Sequence, residues 1–383
     1  MMKRERIIIY SLGFLFSVPL ALTSYINSTF LEGYISENYV GLAYILASII
    51  TIWGLSKAPE LLTKVGNRKA SLWFSIASFF SLLLMAFGGK DFIVIPAFIV
   101  YFILSNILIA SFDIFIEETS KKSSIGKFRG LYLTLTNLAW VIAQTISGSI
   151  INRSSFKGIY LFSSIFMLVV SLILTFYLHD FKDPKYIKMP MLRTFKSFLR
   201  RKNLTRIYFI NLILKFFFAW MVIYTPIYLY DHLGLGWDKI GIIFTIMLLP
   251  FVILEYPLGK ISDKIGEKEL LIAGFAISAF FTLLIPFVKI PSVLAWGLLL
   301  FGTRIGAAMI EVMSETYFFK KIKPEAAEEV NFFRNTYPLS YIIAPIFAIP
   351  ILFLVPSFEY LFYVLGAIML IGLLITLKLK DTN

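Results

Sequence analysis

The chain contains no cysteine and only two histidines, His179 and His232, which stand far apart. Without cysteine there is no disulfide framework, no thiol nucleophile and no thiolate metal site, and two distant histidines argue against a zinc enzyme. Charge is scarce as well. Only 15% of the 383 residues are Asp, Glu, Lys or Arg, while 58% are hydrophobic. A water-soluble domain needs charge over most of its exterior, so this composition points to lipid as the solvent. Signatures of nucleotide and metalloprotease chemistry are missing too. Gly259-Lys260 lacks the upstream glycine of a phosphate loop, Gly234-Leu235-Gly236 falls in a predicted loop between helices, and no His-Glu-x-x-His occurs. Neither a cofactor nor a metal is expected, and an enzyme is not. Met1 to Arg6 is basic, but the apolar segment after it lacks a small-residue cleavage site, so no cleaved signal peptide is expected.

Long apolar runs dominate instead. A helix needs about 20 residues to cross a bilayer core. On that basis the spans are 7–27, 38–56, 70–88, 92–117, 129–151 and 156–178, then 206–230, 238–258, 270–288, 291–317, 328–352 and 358–378. Inside lipid every backbone polar group must be satisfied within its own segment, so helices are the expected form. The reading is an all-α integral membrane protein with twelve transmembrane helices.

Lysine and arginine fall on one set of loops about five times as often as on the other. The rich side holds Lys3/Arg4/Arg6, Lys57/Lys64/Arg68/Lys69, Lys121/Lys122/Lys127/Arg129, Lys182/Lys185/Lys188/Arg193/Lys196/Arg200/Arg201/Lys202/Arg206, Lys260/Lys264/Lys268, Lys320/Lys321/Lys323 and Lys378/Lys380. The poor side holds only Lys90, Arg153, Lys157, Lys239 and Lys289. This predicts both termini in the cytoplasm and a place in the plasma (inner) membrane. It also explains the formal charge of +13 as topology, with no nucleic-acid site. Asn27-Ser28-Thr29 and Asn152-Arg153-Ser154 read as outward-facing glycosylation triplets. Pro226, Pro338 and Pro345 are candidates to kink spans 7 and 11.

The two halves repeat. Arg6 and Arg206 open spans 1 and 7, and Lys64-Val65-Gly66 matches Lys264-Ile265-Gly266, each at an offset of 200. Asn106, Asp113 and Glu117 match Arg304, Glu311 and Glu315 at an offset of 198. The organisation is therefore a six-helix bundle over 1–178, a basic linker over 179–205 and a second six-helix bundle over 206–383.

Between spans 8 and 9 stands Leu258-Gly259-Lys260-Ile261-Ser262-Asp263-Lys264-Ile265-Gly266-Glu267-Lys268. It resembles the signature of the major facilitator superfamily, roughly G-x-x-x-D-[RK]-x-G-[RK]-[RK]. Gly259, Asp263, Lys264, Gly266 and Lys268 match it, and Glu267 stands where a basic residue is usual. The first-half copy is worn, with Thr63 and Pro59 in place of its aspartate and first glycine, leaving Gly66, Arg68 and Lys69. With the repeat and the linker, the resemblance covers nearly the whole chain. It implies two pseudo-symmetric six-helix bundles that rock around a midplane cavity. A span 4 acid with a basic residue opening span 5 often forms a gate latch in this family, which Glu117 or Glu118 with Arg129 resembles. Broad efflux members typically carry a basic residue in span 4 and a glycine-proline motif in span 5. Here Asn106 occupies the first position, and Gly148 has no proline after it.

A charge at the centre of a span costs about 2.5–3.5 kcal/mol on insertion scales, so each needs a reason. Arg304 and Lys215 lie near the middle of spans 10 and 7, and Asp113, Glu117, Glu255, Glu311, Glu315 and Arg334 lie in the cytoplasmic third of theirs. Spacings of seven and four put Arg304, Glu311 and Glu315 on one helix face, and Asn106, Asp113 and Glu117 likewise. One reading makes these acids structural, paired with Arg129, Arg334 and the signature loops as a latch. The other makes Asp113 and Glu311 proton carriers, since burial favours the neutral carboxyl. Arg304 and Lys215 either pair with a neighbouring acid or hold an anionic part of a solute. Tyr25, Asn106, Asn137, Trp140, Gln144, Asn211, Trp220, Tyr224 and Tyr337 could complete a pocket, and Asn137, Trp140 and Gln144 form the clearest polar stripe.

The expected function is secondary active transport of a small solute by alternating access, proton-coupled, with an organic anion as solute. The expected partners are the bilayer, the solute and protons, with the chain acting as a monomer. Multidrug, amphiphile or lipid efflux by the same fold, a polytopic membrane enzyme, and a transport-dead sensor or assembly partner remain as alternatives.

Overall fold

The computed structural model describes residues 2–119, 125–178, 181, 200–321 and 332–380. The described chain is helical. In order the helices are α1 (Met2–Ser24), the short α2 (Asn27–Glu32), α3 (Glu37–Val65), α4 (Asn67–Phe87), α5 (Asp91–Thr119) and α6 (Ile125–Phe176). There follow α7 (Lys202–Ile227), α8 (Trp237–Ile265), α9 (Glu267–Leu284), α10 (Val293–Lys321), α11 (Thr336–Leu354) and α12 (Tyr360–Leu377).

Among the described residues, eleven stretches are long and apolar enough to cross a membrane. One of them, Thr134–Phe176, has 43 residues, about twice what a single crossing needs. It lies within α6, which breaks at Ser155 (φ 54°, ψ −168°). A Cβ added at Gly158 would lie 3.1 Å from the Ile150 side chain, whereas a straight helix would hold these residues about 12 Å apart. The chain therefore folds back at the break, and α6 supplies two crossings. Spans 5 and 6 of the sequence reading are its two arms, and twelve crossings follow from eleven stretches. Bulky apolar side chains such as Trp53, Trp73, Phe80, Phe280 and Leu354 stand exposed, as a lipid-facing surface requires.

The contacts divide into two compact units, Met1–Lys188 and Met189–Asn383. In the first, α1 packs along α6, α4 lies against α5 and α6, and α3 lies on α5. In the second, α10 packs on α8 and α9, α12 on α9 and α7, and α11 on α7. Equivalent turns enter α4 and α9. Gly66 (φ 80°, ψ 155°) and Gly266 (φ 85°, ψ 171°) each link two helices, in a backbone region that only glycine enters without strain. Small residues set the spacing between α9 and α10: a Cβ at Gly274 would lie 2.9 Å from the Gly306 carbonyl oxygen, and the Ser278 hydroxyl donates to the Thr303 carbonyl at 3.1 Å.

Two local expectations change. Asn27, Ser28 and Thr29 are buried in α2, and Asn27 Oδ1 accepts a hydrogen bond from the Tyr160 hydroxyl at 3.0 Å. That triplet is a packing element, not an exposed acceptor. Pro226 sits in the last turn of α7, after which the chain passes into a π turn over Tyr228–His232. Proline removes one rung of the α ladder, and here the effect is a change of helix type at its outgoing end.

Candidate functional site

Two midspan cations of the second unit, Lys215 and Arg304, stand where α7 packs against α10. Lys215, the fourteenth of the 26 residues of α7, places its ammonium 2.6 Å from Glu311 Oε1 on α10. The pair is mostly shielded, with 16% and 26% of the two side chains exposed. The same ammonium lies 5.2 Å from the Phe218 ring centroid, and Glu315 and Tyr337 are within electrostatic reach of it. The sequence leaves Lys215 between pairing with a neighbouring acid and holding the solute, and Glu311 between a structural and a proton-carrying role; the structure joins them as one ion pair.

Arg304 is different. It is the twelfth of the 29 residues of α10 and is completely buried. Its guanidinium carbon lies 5.0 Å from the Phe217 centroid and 5.4 Å from that of Phe218. Nε, Nη1 and Nη2 have no hydrogen-bond partner among the described residues. Cation–π contact with desolvated rings is worth about 2 kcal/mol, but it leaves the guanidinium's five N–H donors unused. Leaving buried donors unmatched costs free energy for each one. Asn211 Oδ1, Trp220 Nε1 and the Tyr224 hydroxyl on α7 are likewise buried with no partner among the described residues. Tyr337 is half-buried with its ring 5.2 Å from Tyr341.

The first unit has no counterpart to this charge. Asn106, at the position matching Arg304, is half-buried and donates to the Phe102 carbonyl of its own helix at 2.8 Å. Asp113 is half-buried. The polar stripe of span 5 faces α1: Gln144 is buried and donates to the Ala21 carbonyl at 2.5 Å. Trp140 meets Tyr25 edge-on at 6.4 Å, and Asn137 is half-buried. Gln144 thus joins α6 to α1, and Trp140 meets the residue that follows α1.

The signature regions form short-range locks. Arg68 donates from Nε to the Leu174 carbonyl at 2.8 Å and from Nη2 to the Thr175 carbonyl at 2.5 Å, capping carbonyls at the end of α6 that have no partner in their own helix. Asn67 donates to the Ser111 carbonyl at 2.9 Å, tying α4 to α5. The equivalent residue Glu267 is fully buried and accepts from Lys320 Nζ at 2.6 Å, tying α9 to α10. Sequence reading treated Glu267 only as a departure from the motif. The compensating cation is 53 residues away, and only the repeat, through the α4–α5 contact, could have indicated it. Lys268 is half-buried and Arg334 and Glu315 are exposed. The side chains of Glu117, Arg129, Gly259, Asp263 and Lys264 lie outside the described residues, and with them the proposed Glu117–Arg129 latch.

At the far end of α7 a second polar group forms. Glu359 accepts from Lys289 and, at 2.9 Å, from Ser357, with the Tyr228 hydroxyl at 3.5 Å. The Lys289 hydrogen bond holds the Glu359 carboxyl below its ordinary range against an opposing effect of burial. His232 packs on Phe358 at 4.6 Å.

The family model described as Major Facilitator Superfamily matches residues 7–239 and 224–383. The chain is 24% identical over 269 residues to the Multidrug efflux pump SdrM of Staphylococcus aureus (strain N315), covering 70% of this chain and 53% of that protein. It thus spans about half the length of the curated relative it matches. Among solved structures it is similar to the nucleoside transporter NupG, with a TM-score of 0.80 and 9% identity over 98% of this chain and 100% of that one. It is also similar to an auto inhibited POT family peptide transporter, with a TM-score of 0.78 and 10% identity over 99% and 98%. At such identities these two likenesses speak for the fold alone.

Proposed function

Because this chain belongs to the Major Facilitator Superfamily, a family of membrane transporters, we propose that it moves a small anionic solute across the membrane by alternating access, with Arg304 binding the anion. The observation that carries this reading is the fully buried guanidinium whose three nitrogens have no hydrogen-bond partner among the described residues. A carboxylate or phosphate matches the guanidinium fork with two parallel, charge-assisted hydrogen bonds. Phe217 and Phe218 would hold the fork in plane while excluding water.

The Lys215–Glu311 pair supports a reading with proton coupling. A proton on Glu311 removes the partner of Lys215 and frees a second cation for the anion; loss of that proton lets Glu311 recapture the ammonium and weakens the solute's hold. Asp113, at the matching position of the first unit, is the second candidate carrier. The purified protein, heated with a panel of organic anions, lipophilic cations and neutral amphiphiles at pH 5.5 and 7.5, tests the reading. Selective stabilisation by anions, lost in Arg304→Gln, is expected. In proteoliposomes, Asp113→Asn with Glu311→Gln should abolish acid-driven accumulation and spare counterflow. Unchanged acid-driven uptake would remove proton coupling from these two residues.

A second reading is efflux of amphiphiles. Two observations favour it: the similarity to the Multidrug efflux pump SdrM, and the aromatic density of α7, where Phe216, Trp220 and Tyr224 form a chain of rings 5.2 and 5.5 Å apart. Stabilisation by lipophilic cations, indifferent to Arg304→Gln, would select it.

A further inference from the structure

We propose that the cleft at the break of α6 docks an anionic glycerophospholipid of the phosphatidylglycerol type. The two arms of α6 diverge from Ser155 and border an open groove of about 600 Å³, a volume within the range of about 300–1,000 Å³ typical of ligand sites. Its walls are apolar, from Ile150, Leu161 and Phe162, and its rim carries Arg153, Lys157 and the Ser154 hydroxyl. Both cations are exposed, and neither forms an ion pair among the described residues. Lys157 lies 4.2 Å from the Phe87 ring centroid, which holds it at the rim.

Three features mark the cleft as built. Ser155 adopts φ 54° and ψ −168°, a region essentially restricted to glycine, so the fold sustains strain at this point. Gly158 lets the two arms meet closely at the floor, because a Cβ there would lie 3.1 Å from Ile150 and closer still to Ser154. The third is charge placement. The loops on this side of the sequence hold only five lysines and arginines, and two of them share this cleft. Both line the same cleft, so their charges add there and favour a bound anion.

The occupant follows from the combination. A free phosphate would leave the apolar walls unused, and a zwitterionic or neutral lipid would leave the two cations without net neutralisation. A lipid phosphate at Arg153 and Lys157, held by charge-assisted contacts, with an acyl chain along Leu161 and Phe162 satisfies both. The assignment is independent of the transported solute.

Hydrogen exchange of the full chain in nanodiscs tests it, comparing phosphatidylcholine alone with an equal mixture of phosphatidylcholine and phosphatidylglycerol. Backbone amides of residues 146–165 should exchange severalfold more slowly in the mixture. The Arg153→Gln/Lys157→Gln double variant should lose that slowing, and Arg153→Lys/Lys157→Arg should keep it. Equal exchange in both bilayers, or slowing that survives the glutamine substitutions, would overturn the proposal. Glycerol 3-phosphate added to phosphatidylcholine nanodiscs should change nothing; if it reproduces the slowing, the cleft takes a free phosphate and the lipid assignment falls.

Discussion

Replacing Arg304 with methionine should make the resting protein more stable. The side chain keeps most of its stem volume and loses its charge, so the perturbation isolates the guanidinium. A charge at a helix centre costs about 2.5–3.5 kcal/mol on insertion scales. The contacts with Phe217 and Phe218 offset about 2 kcal/mol of that. Three nitrogens remain without a hydrogen-bond partner among the described residues, so no hydrogen bond offsets the rest. The remainder, about 0.5–1.5 kcal/mol, is the gain expected from methionine. For a unit of this size it corresponds to a rise of about 1–6 °C in unfolding temperature. Intrinsic tryptophan fluorescence during a thermal ramp in detergent measures it, with and without the anion panel. The variant should melt higher than wild type without solute and lose all anion-dependent stabilisation, the usual exchange of stability against function at a binding residue. The opposite sign would refute the reasoning. If a buried carboxylate held Arg304, methionine would strand it, and the melting temperature would fall by the equivalent of about 3–5 kcal/mol.

Other expectations concern the ion pairs and the signature turns. Lys215→Met should destabilise the second unit by about 1–3 kcal/mol, reduced from the fully buried case because both partners keep some exposure, and adding Glu311→Leu should restore most of the loss in a thermal ramp. Gly266→Ala should cost about 1–3 kcal/mol, because φ 85° with ψ 171° is strained for any residue with a Cβ; the same ramp checks it. Glu359 has its folded carboxyl pKa lowered, first by the Lys289 hydrogen bond. Its contribution is therefore fully present above the unfolded value of 4.5 and is lost as pH falls through the lowered folded value. Melting temperature measured between pH 3 and 6 should drop at the acid end in wild type and flatten there in Lys289→Gln.

Much of the chemistry was visible as residue type without being visible as partnership. Lys215 and Glu311 each stood out as charges inside apolar runs, but they are 96 positions apart, and no pattern in either helix names the other. Their meeting depends on α7 packing against α10. Arg304 drew the same attention and has the opposite fate, meeting aromatic rings from the run Phe216-Phe217-Phe218 instead of an acid. The span 5 stripe is ambiguous in a different way. A polar face at helical spacing is as useful for binding a neighbouring helix as for binding a solute, and Gln144 does the former by donating to Ala21.

The sequence by itself determined the solvent, the number of crossings and the repeat. Those depend on composition, on runs of about 20 residues set by bilayer thickness, and on spacings that survive in the chain as text. It also aligned Gly66 with Gly266 through the repeat, and in the structure both take the positive φ that glycine allows. Tertiary structure alone decided which buried charges are neutralised, which polar stripe is packing, and that the break at Ser155 opens a cleft between two arms of one helix. Each of those depends on contacts between residues far apart in the chain, whose energies arise only after the helices pack.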